Sequence, residues 1–285
     1  MLRISKLSFP GFGIGEFAVN SDAFTIFGIS IAWYALIITC GMVCAVTYTV
    51  FRAGKIGIVL DDVLDFVIFT IPIGIIGARL YYVLAEIEHY NSLGDVLNIR
   101  EGGLAIYGGI IAGAITVFTV AYIKKINFLA FADCCTPGII LAQSIGRWGN
   151  FMNGEAFGSE TEIFCRMGVS NYLTHNTMIY VHPTFLYESL WNIVGFVLIN
   201  VFYKHKKYDG QIFLLVFGWY GLGRMLIEGL RADSLYTNLF GWEFRTSQVL
   251  AALIFTACLS LLIYFQIKKP TKPLYVKEQK EATTK

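Results

Sequence analysis

Gly146-Arg147-Trp148-Gly149-Asn150-Phe151-Met152-Asn153-Gly154-Glu155-Ala156-Phe157-Gly158 follows directly on an apolar stretch with the length and composition of a membrane span. An arginine, two asparagines and a glutamate set among four glycines are costly to hold at such a place. A charged side chain at bilayer depth costs about 2.5–3.5 kcal/mol even on forgiving insertion scales, so residues of this kind are kept for function. The chemistry is expected here.

The rest of the chain fits a membrane protein. Of 285 residues 56% are hydrophobic and only 15% charged, where soluble domains carry about one-quarter charged residues. A span needs about 20 apolar residues, and seven segments qualify, near 25–51, 61–85, 103–123, 126–146, 184–203, 210–230 and 246–267. Asp133, Pro137 and Gln143 interrupt the fourth. The expectation is therefore an all-α, polytopic membrane helix bundle of seven transmembrane helices, forming a single integral membrane domain over residues 1–285. The connection from about 146 to 182 is too long for a turn and predicts a small head on the outer face. The polar tail, 270–285, is expected to be a disordered cytoplasmic segment.

Basic residues give the orientation. With the N-terminus outside, thirteen lysines and arginines fall on inner segments, including Arg52, Lys55, Lys124, Lys125 and the tail lysines. Seven fall outside: Arg3, Lys6, Arg100, Arg147, Arg166, Arg231 and Arg245. That bias predicts N-out, C-in. The first apolar run is long enough to span, and no short basic-then-apolar leader precedes it, so no cleavable signal peptide is expected.

Six cysteines show no metal-ligand spacing and no disulfide framework; Cys134 and Cys135 are adjacent, and Cys40, Cys44 and Cys258 lie in spans. Neither a metal nor a cofactor is expected. The net charge of +2 says little about partners, and no basic-aromatic patch suggests nucleic acid. Glycines recur in the spans, as at Gly74 and Gly77, Gly108, Gly109 and Gly113, and Gly218, Gly221 and Gly223, which suits close helix packing.

Several polar residues sit where they are costly. If helical, Arg224, Glu228 and Arg231 share one face of span six, at i, i+4 and i+7. A surface pair accounts for Arg224 and Glu228 but leaves Arg231 over. Arg79 lies deep in span two, where a structural salt bridge competes with a functional role. Arg147 is flanked by Gly146 and Gly149; its forked donors suit phosphate, and glycines let backbone N–H groups approach it. Arg147 and Arg224, both near span ends, can clamp one phosphate from two sides, as a lipid-headgroup site does. No GxxxxGK[ST] phosphate loop occurs. His182-Pro183-Thr184-Phe185-Leu186-Tyr187-Glu188 opens span five, and a buried Glu188 there needs a partner. Trp33-Tyr34 and Tyr107 lie near the outer half of their spans, where an interfacial aromatic belt explains most such residues and a substrate contact is the lesser reading.

The stretch from Gly146 to Glu155, with Gly158, resembles the signature of the prolipoprotein diacylglyceryl transferases. Trp33-Tyr34, Gly77-Ala78-Arg79-Leu80, Glu101 to Gly109, Ala132-Asp133 with Pro137, His182-Pro183 to Tyr187-Glu188, and Arg224, Glu228 and Arg231 are similar to further motifs in the family's order, covering roughly residues 25 to 265. The resemblance implies a seven-span bacterial cytoplasmic-membrane enzyme. It would move the sn-1,2-diacylglyceryl group of phosphatidylglycerol onto the lipobox cysteine thiol of a preprolipoprotein signal peptide. The products would be a thioether and glycerol phosphate, and the enzyme would act as a monomer among membrane lipids without cofactor or metal. Tyr107 stands where many members carry histidine, and Phe185 where many carry glutamine.

On this resemblance Arg147 and Arg224 would bind the phosphate and hold it harder as leaving-group charge develops. Asn150 and Asn153 would orient the headgroup, with Gly158 and Tyr34 also contacting the lipid. A thiol of ordinary pKa about 8.5 needs a base or a positive field. Glu155 or Glu228 can take its proton, while Tyr107 suits a hydrogen-bond donor better than a base. A transporter is the rival class; it predicts polar residues along the whole membrane depth, whereas here they gather toward one end.

Overall fold

The computed structural model describes residues 4–90, 92–98, 102–232, 236–239, 242–268 and 273–277. Arg3, Arg100, Glu101 and most of the 270–285 tail lie outside them.

In chain order the elements are β1 (Ile4–Phe9), β2 (Ile14–Asn20), β3 (Asp22–Ile26), β4 (Ile29–Ala32), α1 (Trp33–Gly54), α2 (Leu60–Ala85), α3 (Leu93–Leu97), α4 (Ile106–Ile123) and α5 (Phe128–Asn153). They continue with β5 (Met167–Ser170), β6 (Ile179–Val181), α6 (Thr184–Phe202), α7 (Gln211–Glu228), β7 (Tyr236–Leu239), β8 (Trp242–Arg245) and α8 (Thr246–Lys268).

Helix dominates, and among the described residues six helices are long and apolar enough to cross a membrane: α1, α2, α4, α5, α6 and α8. Many of their large apolar residues face outward, such as Ile76, Ile115 and Leu253. That suits a hydrocarbon solvent rather than water. The remaining expected segment, span six, is α7, a helix of 18 residues that falls outside this set by apolar composition.

Three expectations need correction. The chain is not all-α: strands flank and interrupt the helices. Span one begins at Trp33 rather than 25, because the apolar run before it folds as the β3–β4 hairpin around Phe27 and Gly28, both at positive φ. A short apolar run rich in β-branched and aromatic residues has no helical period to fix it, and a turn glycine decides. Finally, α5 does not stop at 146. It runs to Asn153, so Gly146 to Asn153 are helical and the head starts at Gly154, at φ +62°.

The chain divides into two compact units. The first comprises 1–47 and 135–273. Its sheet has the order β2-β1-β5-β6, all antiparallel, with Lys6 opposite Ser170 and Val169 opposite Ile179. The inward residues Leu7, Val19, Met167, Val169 and Val181 pack with Phe185 of α6. Below it, α6 and α7 are fastened by a reciprocal tryptophan pair. Trp191 Nε1 donates to the carbonyl of Trp219 at 3.1 Å, and Trp219 Nε1 to that of Trp191 at 3.0 Å. The rings stack at 4.4 Å. Each indole lies over a glycine four residues along the opposite helix, Gly223 under Trp191 and Gly195 under Trp219. The other face of α7 meets α8 through Gly218 and Gly221.

The second unit comprises 48–134 and 274–285. In it α2 and α4 cross at Gly77 and Gly108, where an added methyl at Gly77 would lie 2.8 Å from the Gly108 carbonyl oxygen. Small residues of this kind let membrane helices approach closely. Arg79 is held in a cage of carbonyls. Its guanidinium donates to the backbone oxygens of Asp95, Val96, Asn98, Gly102 and Gly103, at 2.7 to 3.0 Å, with Tyr90 against its face. Its role in this unit is thus to tie 95–98 to Gly102 and Gly103, through neutral acceptors rather than a salt bridge. Near the other helix ends, Lys277 pairs with Asp62 and its N–H donates to the carbonyl of Ile56 at 2.8 Å. Residues 273–277 of the expected disordered tail are therefore docked.

Candidate active site

Around Glu188 the first unit gathers a buried knot of charge. Glu188 sits in the first turns of α6, whose entry is fixed by Thr184 donating to the Ala156 carbonyl at 2.6 Å. Hydroxyls then couple α6 to α5. Ser144 and Ser189 exchange bonds with each other's carbonyls at 3.0 and 3.1 Å, and Trp148 Nε1 donates to Ser189 Oγ at 3.2 Å. These contacts bring Arg147 of α5 to Glu188, and the two form an ion pair.

Two more guanidiniums reach the same carboxylate. Arg224 and Arg231 lie 3.4 and 3.2 Å from Glu188 Oε1. Arg224 also pairs with Glu228, one helical turn on, at 2.8 Å. Arg231 is past the end of α7. It is steered back by an isolated bridge to Gly158, while Ser159 donates to the Leu230 carbonyl at 2.8 Å. Arg245, stacked over Tyr236, donates to the backbone carbonyl of Glu228. The Glu228 side chain is 1% exposed and that of Glu188 7%. Carboxylates so buried stay charged only with partners like these. A small cleft beside them is lined on its polar side by Glu188, Asn192, Tyr220 and Arg224.

One turn along α5 from Arg147, Asn150 and Asn153 both donate to Glu155 Oε1, at 3.3 and 2.9 Å. Tyr34 packs on this helix where Gly149 leaves room: a methyl there would sit 2.7 Å from Tyr34 Cδ2. Gly158 lies in a tight passage, with His182 Cβ and the Leu230 carbonyl 2.6 and 2.7 Å from where its Cβ would stand. That packing accounts for a glycine at 158 by itself.

Thus the structure brings together Arg147, Arg224 and Glu228 from the expected set, and Asn150, Asn153 and Glu155 as a second polar group on the same helix end. Tyr107, the second residue of α4, belongs to the other unit. Sequence reasoning left Glu188 without a partner and gave Arg245 no role. Arg147 and Arg231, left over near span ends, were the available signal for the first. No signal marked the second. Among the described residues no group of His, Cys, Asp and Glu is arranged to hold a metal ion.

An integral membrane protein with a buried arginine–glutamate cluster at the ends of its apolar helices is the class that fold and site define. Comparison with known proteins narrows it. The family model described as prolipoprotein diacylglyceryl transferase matches residues 21–264. Proteins named phosphatidylglycerol–prolipoprotein diacylglyceryl transferase are similar along nearly the whole chain. That of Listeria innocua is 40% identical over 274 residues, covering 94% of this chain and 97% of its own. That of Clostridioides difficile is 45% identical over 232 residues, covering 81% and 89%. That of Enterococcus faecalis is 41% identical over 277 residues, covering 93% and 98%. The chain belongs to the prolipoprotein diacylglyceryl transferase family.

Proposed function

We propose that this chain transfers the sn-1,2-diacylglyceryl group of phosphatidylglycerol to the lipobox cysteine thiol of preprolipoproteins, the first step of lipoprotein maturation. The observation that carries the reading is the convergence of Arg147, Arg224 and Arg231 on one buried carboxylate. Arginines preassembled in a dry site are what a lipid phosphate needs, because fixed dipoles and charges there stabilise developing charge without reorganising.

In this reading Arg147 and Arg224 hold the phosphate, and Asn150 and Asn153 orient the glycerol headgroup. The thiol sulfur attacks the glycerol carbon, the carbon–oxygen bond breaks, and the electron pair leaves on glycerol phosphate. The thiol proton passes to a carboxylate. Glu155 suits that role better than Glu228: its carboxylate faces two neutral amides, whereas Glu228 is already paired with Arg224. Tyr34 lines the headgroup's approach.

The wider setting belongs to the same proposal. The protein acts as a monomer in the bacterial cytoplasmic membrane, as one integral domain of seven spans with α7 as the sixth, N-out and C-in. Pairing of β1 with β5 supports this topology. Four long apolar helices separate the two strands, and an even number of crossings returns the chain to the starting face. The test is incubation of purified protein with phosphatidylglycerol and a lipobox peptide, and weighing the peptide. A diacylglyceryl mass gain with the unaltered protein, lost in folded Arg147→Ala, is expected. A gain in both would discard the clamp, and a gain in neither would discard the reaction.

A further inference from the structure

The β3–β4 hairpin ahead of the first span is amphipathic, and its apolar side is bare. From Ala23 to Ala32 the sequence holds no charged residue. Phe24 pairs with Ile31, Thr25 with Ser30 and Ile26 with Ile29, so Phe27 and Gly28 make a two-residue turn. Alternate residues of a strand point to opposite faces. One face therefore carries Phe24, Ile26, Ile29 and Ile31, and the other Thr25 and Ser30. Phe24 and Ile26 are about half exposed, Ile29 is 61% exposed and Phe27 100%. The turn has positive φ at both central positions, +49° at Phe27 and +79° at Gly28. Asparagine before glycine is the usual choice for such a turn, and a bulky residue there strains the backbone. Turn chemistry thus gives no reason for the ring of Phe27.

What covers this surface follows from where the hairpin is rooted. Asp22 pairs with Ala32, and the Trp33 N–H donates to the Ser21 carbonyl at 2.9 Å, so both strands close on the first residue of α1. The tip stands about 20 Å of strand from a helix long and apolar enough to cross a membrane. Pointing straight away from the bilayer, that length would carry Phe27 through a headgroup layer of about 5–8 Å and into water. Lying flat, the hairpin brings its apolar face to the acyl chains. Its open strand edges then lie among hydrated headgroups, where N–H and C=O groups find partners. Trp33 and Tyr34, both well exposed at the root, are residue types that favour the same layer. We infer that the β3–β4 hairpin is an interfacial anchor. Phe27 and the apolar face seat in the headgroup–acyl boundary of the leaflet at the Trp33 end of α1, and Thr25 and Ser30 turn to water. The occupant is lipid rather than a protein partner, and the anchor stands whether or not the chain performs the proposed transfer.

The experiment places the photo-crosslinker p-benzoylphenylalanine in turn at Phe27, Ile29, Thr25 and Ser30 of the full-length protein. Each variant is reconstituted in vesicles of phosphatidylcholine and phosphatidylglycerol and illuminated, and lipid adducts are counted by mass. Yields at Phe27 and Ile29 are expected to exceed those at Thr25 and Ser30 by on the order of tenfold, the weight of one large apolar side chain leaving water. Equal yields on the two faces, or no lipid adduct at Phe27 and Ile29, would overturn the inference. Crosslinks from those positions to a second copy of the chain, or to a lipobox peptide added in a parallel sample, in place of lipid, would also overturn it. Should the probe at Phe27 prevent folding, Ile29 against Ser30 decides.

Discussion

Substituting alanine for Gly223 tests whether the tryptophan pair sets the spacing of α6 and α7. A methyl built on Gly223 lies 2.8 Å from Trp191 Cε2 and closer still to its Nε1, where carbon contacts settle at about 3.5–4.0 Å. The indole must move by most of an ångström. Overpacking of this kind costs about 1–3 kcal/mol. The displaced Nε1 also loses its bond to the Trp219 carbonyl, worth about 1 kcal/mol. Replacing a helical glycine returns about 1 kcal/mol, leaving a net loss of about 1–3 kcal/mol. Gly218, on the same helix, is the control. Its added methyl would meet only Cys258 Cβ at 3.5 Å, so Gly218→Ala should be neutral or stabilising by up to about 1 kcal/mol. Thermal unfolding in detergent compares the two, and Gly195→Ala should follow Gly223→Ala. Since Arg224 is the next residue, transfer should fall with Gly223→Ala and not with Gly218→Ala. If Gly223→Ala unfolded no earlier than Gly218→Ala, the stacked pair would not be fixing the interhelical distance.

Other outcomes follow from the same contacts. Arg79→Lys cannot fill five carbonyl acceptors with three donors. It should cost about 1–2 kcal/mol by leaving partly buried carbonyls unmet, with faster hydrogen exchange at 92–98 and 102–105 as the readout. Glu155→Gln should lower kcat sharply with KM little changed, whereas Glu228→Gln should lower stability as well, by about 3 kcal/mol for a broken buried pair; kinetics beside melting curves separate them. Lys277→Ala should loosen the tail from the Ile56 carbonyl and Asp62. A loss of about 1 kcal/mol is expected for a partly exposed pair, seen as faster proteolysis beyond residue 268.

Much of the fold was legible because long apolar runs have few alternatives. The helices α2, α6 and α8 fall within one residue of their expected bounds. The hairpin at 22–32 was not legible, since its apolar residues suit a strand as well as the first turns of a span, and only its pairing with itself chooses. The extension of α5 through Asn153 was hidden by Gly146 and Gly149, which read as helix breakers until tertiary packing against Ile38 and Tyr34 gives them a reason. Within the site, Arg147 and Arg224 were visible as costly charges. Their common partner was not, because Glu188 lies 36 positions from one and 41 from the other, and nothing local links them. The two W-x-x-x-G spacings, Trp191 to Gly195 and Trp219 to Gly223, were the sequence's signal for the α6–α7 contact, and they look unremarkable until read together.

The pairing of β1 with β5 also sets an order of events during biosynthesis. The strand Ile4–Phe9 emerges first, yet its second neighbour is not complete until Ser170, and the sheet is not closed until Val181. At the usual pace of synthesis, about 5–20 residues per second, that is a wait of roughly ten to thirty seconds. Throughout it, one edge of the β1–β2 hairpin stands open while four helices are threaded into the bilayer. Closure of the sheet therefore comes late, and it comes just as Glu188 and its helix are delivered beside Arg147, so the charged cluster cannot assemble on a half-made chain.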